Sequence, residues 1–303
     1  MSISVLVTGG CGYIGAALMK YLRRDLEIKN VISYDIVQGD NILNYEALVS
    51  RIRDHKINVV VHLAALSSVS ACNEKPKTAK DINGLGTGVV VSAMAEAGCQ
   101  NIIYASTSSV YGNSDIVPYT EDMKPAPCSV YGSSKLLGEG VIHDYHLGNY
   151  LIFRLFNVVG TSGFHDLDMK TNAGYDRIFG ALMSGHVTIY GNDYITADGT
   201  CERDYVSLKD VCQAFILGIK AITTQPSLRI TANIASNHPT SVMTLINTWN
   251  TIATTPVTYI YGPRREGDPT QVYGLNGVAY KMLGWTPTRK IEDIIRDIAM
   301  DIK

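Results

Sequence analysis

The chain has 303 residues, of which 46% are apolar and 18% charged, with a formal net charge of −2. That length buries a sizeable core without disulfides or metal, and the ordinary apolar content without charge blocks excludes a disordered chain. The slightly acidic balance lacks the basic footprint of a protein that grips a nucleic-acid backbone.

The first half alternates short runs of Val, Ile and Leu with helical stretches. The runs at 3–8, 31–35, 59–64, 102–106 and 151–157 read as strands buried on both faces of a parallel sheet. Helices are expected near 15–24, 43–55, 85–97 and 131–147. Strand, helix, strand in succession implies right-handed crossovers and a doubly wound sheet. Past Val159 a loop rich in Gly and Asp (160–174) leads to a helix near 175–184 and strands near 187–190 and 202–206. A helix at 208–221 and a strand near 229–234 return to the first domain. Residues 237–303 show turn signals and a charged terminal helix. The predicted fold is α/β: a Rossmann-type doubly wound parallel sheet with a smaller mixed α/β lobe toward the C-terminus. The division predicted is 1–160 with 204–236 for the nucleotide and 161–203 with 237–303 for the substrate.

The first strand feeds Gly9-Gly10-Cys11-Gly12-Tyr13-Ile14-Gly15, which opens a helix. Glycines there let the backbone turn tightly and approach a pyrophosphate, whose charge sits at the helix N-terminus. Asp35 closes the second strand 20 residues after Gly15, the offset of a carboxylate that binds the adenosine ribose. An acid there favours NAD, because a 2′-phosphate would meet like charge. The competing interpretation, a plain glycine turn and a surface aspartate, leaves three matching elements unexplained.

Tyr131-Gly132-Ser133-Ser134-Lys135 puts a phenol and an ammonium on one helix face, where the ammonium lowers the phenol's pKa. Ser106-Thr107-Ser108-Ser109 follows a strand at the carboxyl edge of the sheet, where ligands bind in such folds, and a hydroxyl there could hydrogen-bond a substrate oxygen beside the Tyr. Alone, YxxxK is common on surface helices; after a nucleotide fingerprint and a hydroxyl-bearing strand end it reads as catalytic. His143 and His146 lack further ligands and read as a solvated or interface face, so no metal site is expected. The stripe of Val89, Val90, Val91, Ala93, Met94 and Ala97 reads as core or helix contact. The six cysteines (Cys11, Cys72, Cys99, Cys128, Cys201, Cys212) form neither a CxxC pair nor a Cys/His cluster, which fits free thiols in a reducing compartment. The apolar start leaves no room for a signal peptide, and no apolar run reaches the roughly 18 residues of a membrane span. A soluble cytoplasmic protein is expected, without membrane or nucleic-acid partners.

Motifs along essentially the whole chain carry a resemblance. They are the glycine loop, His62-Leu63-Ala64-Ala65, Asn83-Gly84, Thr107, Tyr131 with Lys135, and Arg154-Leu155-Phe156-Asn157. In the second half follow Tyr190-Gly191-Asn192-Asp193-Tyr194, Asp198-Gly199-Thr200, Arg203-Asp204-Tyr205 and Arg264-Arg265-Glu266-Gly267-Asp268. With these the sequence resembles the extended short-chain dehydrogenases/reductases and, within them, the UDP-glucose (UDP-galactose) 4-epimerases. The resemblance implies that Tyr131 takes the proton of the sugar 4′-hydroxyl while NAD accepts hydride from C4. Thr107 would hold that oxygen, and Lys135 would bind the nicotinamide ribose. NAD would lie on Gly9, Gly12, Tyr13, Ile14, Gly15, Asp35, Ile36, Asp40, Asn41, Leu63, Ala64, Ala65, Asn83 and Phe156, besides Tyr131 and Lys135. The UDP-sugar would meet Thr107, Asn157, Tyr190, Arg203, Arg265, Asp268 and Val272, with the two arginines on the diphosphate.

Dehydratases and decarboxylases of similar sequence carry an acid just after the active-site Thr. Here Thr107-Ser108-Ser109 lacks it, which favours redox-neutral epimerisation. The rivals are a 4-keto reductase or another sugar-nucleotide epimerase, and a non-catalytic NAD-binding sensor. Only four residues separate Asp35 from Asp40, fewer than the resembling enzymes have, so a missing strand and a looser hold on NAD are expected. Val272 stands where those enzymes place a bulky Tyr, which implies that N-acetylated sugars are admitted as well. By resemblance the chain forms a homodimer through paired helices.

Overall fold

A computed structural model describes residues 2–144, 148–164 and 178–301. In chain order the elements are β1 (Ile3–Thr8), α1 (Tyr13–Arg24), β2 (Ile28–Tyr34), α2 (Tyr45–Asp54), β3 (Val59–His62), α3 (Val69–Glu74), α4 (Pro76–Lys80) and α5 (Gly86–Glu96). There follow β4 (Asn101–Thr107), α6 (Val130–Asp144), β5 (Asn149–Leu155), β6 (Asn157–Val159), α7 (Ile178–Ser184), β7 (His186–Tyr190), β8 (Glu202–Ser207), α8 (Leu208–Thr224) and β9 (Arg229–Ile234). The chain ends with β10 (Pro239–Ser241), α9 (Val242–Ile252), β11 (Thr258–Gly262), β12 (Gln271–Val272), α10 (Gly277–Leu283) and α11 (Ile291–Asp301).

Six parallel strands form the main sheet in the order β2-β1-β3-β4-β5-β9. Every residue of β1 and β3 is buried, so apart from Ser4, Thr8 and His62 these strands are apolar throughout. Alternation still decides which face each side chain serves. Val5, Val7, Val59 and Val61 pack with α1 and α8, against Leu18, Leu22, Phe215 and Ile219. Leu6, Val60, Ile102 and Tyr104 pack the other way, against Leu48 and Ile52 of α2 and Val90, Val91 and Met94 of α5. The order reverses between β1 and β3, and the crevice beyond their carboxyl ends is where ligands bind in open α/β sheets.

A second core joins Phe179, Leu182, Ile189, Tyr205, Leu245, Trp249 and Ile295. It underlies a small sheet, β10-β8-β12 with β6 alongside β8, and the β7-β11 pair.

Several expectations are corrected. The run at 151–157 is two strands in two sheets: Leu155 pairs with Ile234 in the main sheet, whereas Asn157 pairs with Tyr205 in the small one. The chain changes sheets at Phe156, a switch that apolar content cannot reveal. Helical structure starts well before residue 85, with α3, α4 and a π-turn over Asp81–Leu85 that runs into α5. Helices α9 and α10 occupy a region read only as turns. No strand lies between β2 and α2, where the chain makes just a 3-10 turn (Ile36–Gln38), as the short spacing predicted. Most of the 160–174 loop, the start of the helix placed at 175–184, and His146 lie outside the described residues.

Candidate active site

At the end of β1 the backbone enters Gly9 at φ +72°, a left-handed conformation that glycine adopts without strain. Gly9 donates to the Tyr34 carbonyl (2.9 Å) and accepts from Gly12 (3.1 Å), folding the loop back on β2. A Cβ on Gly15 would strike the Gly9 carbonyl, so the first turn of α1 can sit this close only as glycine. No side chain caps α1 at Gly12, which leaves the helix N-terminus as an anion site. Asp35 lies beside it, only 7% exposed. Its carboxylate accepts from the Cys11 amide (2.9 Å) and the Val37 amide (3.0 Å). The cradle that a Cβ would fill and the fixed carboxylate together fit a dinucleotide. Ile36 is exposed on the 3-10 turn. Asp40 is tied to Arg51 at 2.9 Å through Oδ1, and Asn41 Oδ1 accepts from the Leu43 amide at 2.9 Å. The Tyr13 hydroxyl reaches across to the Gly160 carbonyl (2.5 Å).

A buried relay sets the neighbouring loop of Leu63, Ala64 and Ala65. Thr87 spends its hydroxyl proton on the Asn83 carbonyl (2.8 Å), so His62 Nε2 must donate to Thr87 (3.1 Å) and His62 Nδ1 accepts from the Thr8 hydroxyl (2.7 Å). Burial, helped by the nearby Lys135 charge, pushes the His62 pKa down to about 3. The ring is neutral. The Asn83 amide then clasps Leu66, accepting from its N–H (2.8 Å) and donating to its carbonyl (3.0 Å), and also donates to Ser134 (2.9 Å). Asn83 thus shapes the cofactor side through the backbone it holds.

Thr107 ends β4, and its hydroxyl caps the following turn by accepting from the Ser109 amide (3.2 Å). Helix α6 starts against that turn: a Cβ on Gly132 would lie 2.5 Å from the Ser109 carbonyl oxygen, so glycine permits the approach. Tyr131, half-buried, therefore stands beside the strand end that carries Thr107. Lys135, one turn on, is 2% exposed, with Nζ 4.1 Å from the centre of the Tyr104 ring. Burial pushes its pKa down to about 7, against the opposing pull of Glu139 and Cys72. Glu139, one further turn along, takes a two-pronged ion pair from Arg154 (3.0 and 2.7 Å) and a hydrogen bond from Ser106 (2.5 Å).

The small sheet carries the other residues expected at the site. Alternation along β8 turns Arg203 toward the cleft and Asp204 inward. Arg203 pairs with Asp268 at 2.5 Å. Asp204 is fully buried and accepts from the amides of Ser236 (2.7 Å) and Gly274 (3.4 Å), tying β8 to the turns after β9 and β12; burial raises its pKa to about 6. Asn157 donates to the Asp204 carbonyl (2.9 Å). Arg265 stacks on Tyr190 at 3.8 Å and Arg264 on Tyr194 at 3.7 Å. Val272 lies opposite Arg203 in register, half-buried. Phe156 fills the space beside Gly274. Asp198 accepts from both the amide and the hydroxyl of Thr200 and from Ser241, which locks the Asp198-Gly199-Thr200 turn.

The sequence reading missed three sets of residues: the Thr8–His62–Thr87 relay, the Ser106–Glu139–Arg154 cluster and the Asp204 tie. One signal was available. Arg154 is a lone charge inside the apolar run Leu151-Ile152-Phe153-Arg154-Leu155-Phe156, and a charge in a strand buried on both faces demands a buried partner. His143, read as solvated, is exposed but bonded to the Tyr150 hydroxyl (2.9 Å).

The family described as "NAD dependent epimerase/dehydratase family" matches residues 5–235. A UDP-glucose 4-epimerase of Lactobacillus helveticus is 31% identical, over 97% of this chain and 95% of its own length. UDP-glucose 4-epimerase 2 of Arabidopsis thaliana is 28% identical, over 98% and 94%. The structure is similar to that of a UDP-glucose 4-epimerase from Stenotrophomonas maltophila with bound NAD and formylated UDP-arabinopyranose, with a TM-score of 0.90, 28% identity, and 98% and 97% of the two chains covered. It is likewise similar to the Brucella ovis UDP-glucose 4-epimerase in complex with NAD, with a TM-score of 0.89, 27% identity, and 97% of each chain covered.

Proposed function

The chain belongs to the NAD dependent epimerase/dehydratase family, and from that premise we propose that it inverts C4 of a UDP-hexose, interconverting UDP-glucose and UDP-galactose through a transient 4-keto sugar. The observation that carries this is Tyr131 and Lys135 one turn apart on α6, whose first turn packs at Gly132 against the Ser109 carbonyl just after Thr107. Thr107 is followed by two serines, with no acid to drive elimination.

Bound NAD supplies the hydride acceptor at C4, a chemistry that side chains lack. Gly9, Gly12, Ile14 and Gly15 would hold its diphosphate at the start of α1, and Asp35 its adenosine ribose. Thr107 would hold the 4′-oxygen of the sugar. Tyr131, as a phenolate stabilised by the Lys135 ammonium, would take the hydroxyl proton of one epimer, hold it as the phenol while the sugar is the 4-ketone, and give it back to the other epimer. Arg203 and Arg265 would neutralise the substrate diphosphate, and Asp268 would take the uridine-side ribose as Arg203 turns from it to the phosphates. Asn157 and Tyr190 complete the substrate wall.

Val272 is smaller than the Tyr expected at this position, and on that steric ground we extend the substrate class to UDP-GlcNAc and UDP-GalNAc. The divided chain follows the same logic, with 1–160 and 204–236 for NAD and 161–203 and 237–303 for the sugar nucleotide. Free thiols at all six cysteines suit the cytoplasm. A homodimer is supported by the outer face of α6, where the exposed Leu137 lines a groove with Leu136, Gly140 and Val141, and by the exposed Leu85 on the turn that runs into α5.

Proton NMR of the anomeric signals with UDP-galactose, and separately with UDP-GalNAc, tests this. The 4-epimer should appear in both tubes. No change in either, with NAD added, would overturn the epimerase reading; conversion of UDP-galactose alone would overturn only the wider substrate range.

A further inference from the structure

The carboxylate of Glu139 is buried one turn from Lys135. Tyr131, Lys135 and Glu139 fall at successive turns of α6, so one stripe of the helix bears a phenol, an ammonium and a carboxylate. Glu139 is 1% exposed and Arg154 5%. Ser106 and Arg154 are direct neighbours across β4 and β5, and both donate to the one carboxylate. Ser106 is adjacent to Thr107. A single side chain thus pins the catalytic helix to the two strands beneath it, one residue from the hydroxyl that faces the substrate.

The charges around Lys135 give this tie a second effect. From its own helix Lys135 faces Tyr131 and Glu139; from α3, Cys72; from β3, the neutral His62; from β4, the Tyr104 ring. Among these described neighbours only Glu139 is a carboxylate. Within the buried stripe the ion pair with Arg154 neutralises Glu139 at long range, yet Glu139 is one turn from Lys135.

We propose that Glu139 is a positioning residue of the reaction: it sets α6 against the Thr107 strand and holds Lys135 in the ammonium form that supports the Tyr131 phenolate. This rests on the assignment of Tyr131 as acid/base and adds the group that prepares it. Removing the carboxylate's charge takes a negative group from two turns away from Tyr131 but discharges an ammonium one turn away. The nearer change dominates, because Coulomb energy falls with distance, and Tyr131 becomes harder to ionise.

The test is a spectroscopic titration of the protein without substrate. Tyrosinate absorbance is followed with pH, and the curve of a Tyr131→Phe partner is subtracted so that only Tyr131 remains. In Glu139→Gln the Tyr131 midpoint should rise by about one pH unit, the order of a single close charge interaction. The pH of half-maximal kcat should rise with it, while KM changes little. Because Glu139→Gln leaves Arg154 a buried cation without its ion pair, Glu139→Gln/Arg154→Met is measured beside it; that protein should show the same direction of shift. Ser106→Ala, which removes only the strand contact, should lower kcat without moving the Tyr131 midpoint. An unchanged midpoint in either Glu139 variant, with native circular dichroism and a cooperative melt, overturns the proposal. A shifted midpoint in a protein whose parent converts no UDP-hexose would uphold the positioning role and overturn the epimerase reading alone.

Discussion

Thr8 and His62 lie directly opposite one another at the ends of β1 and β3, and the threonine hydroxyl sits 2.7 Å from the imidazole Nδ1. The pair joins the strand that feeds the glycine cradle to the strand that feeds the Leu63-Ala64-Ala65 loop. A neutral, fully buried imidazole makes both hydrogen bonds, and its charging is opposed by burial and by Lys135.

His62 has a folded-state pKa, about 3, below its unfolded value near 6.5. Its contribution is therefore complete above pH 6.5 and is lost progressively as the pH falls toward 3. Urea midpoints should drop between pH 7 and pH 5. His62→Ala should cost about 2–4 kcal/mol at pH 7, since it empties a core site and strips two buried hydroxyls of a partner, and should flatten that acid limb. A variant with the full acid slope would assign the effect to other groups.

Lys135 carries the opposite compromise. Its folded pKa, about 7, lies below the unfolded 10.5, so the lysine is without penalty above pH 10.5 and costs most once the pH falls below 7. Lys135→Met should abolish turnover and yet stabilise the protein without ligand by roughly 1–4 kcal/mol at pH 6. The gain should shrink by pH 9. Equal gains at both pH values, read from urea melts, would mean that packing rather than charge is responsible.

Gly15→Ala brings a methyl group onto the Gly9 carbonyl. The loop has to shift by more than the core tolerates freely, at about 1–3 kcal/mol, and NAD affinity should fall at least about tenfold by titration calorimetry. With the adenosine ribose on Asp35 as proposed, the single 3-10 turn that follows would give adenine little cover, and NAD should be partly lost on gel filtration of the unaltered protein. Stoichiometric retention would show that the short turn suffices.

Val272→Tyr tests the substrate gate. Val272 pairs with Arg203 on the wall of the cleft, so an added phenol ring there occupies the space claimed for an N-acetyl group. UDP-GalNAc turnover should fall by at least about tenfold, with UDP-galactose turnover within a few-fold of the parent. An equal loss of both by the NMR assay would remove the gate.

Local rules made much of this molecule readable. Strand runs at β1, β3 and β4, the glycine turn, Asp35 at its fixed offset, and the one-turn spacing of Tyr131 and Lys135 all depend on chain-neighbour geometry. What stayed hidden depends on partners distant in sequence. Glu139 looks like any helical acid until Arg154, 15 residues on, is folded beneath it, and Asp204 shows its purpose only when Ser236 and Gly274 arrive. Asn157 and Asp40 were legible as polar residues near the site, whereas their hydrogen bonds to Asp204 and Arg51 required the assembled sheets. The break at Phe156 is of the same kind: Leu155 and Asn157 are alike in strand preference but are claimed by different sheets.

The last strand of the main sheet, β9, follows α7, β7, β8 and α8 along the chain. During synthesis β5 therefore emerges with its outer edge bare, and the backbone groups of Tyr150–Leu155 wait until residue 234 has left the ribosome. A nascent chain halted at residue 224 would lack the β9 partner of Tyr150–Leu155 and display an open β-edge to whatever binds such surfaces. Completion of the main sheet is thus timed by translation of the segment that lies between β5 and β9.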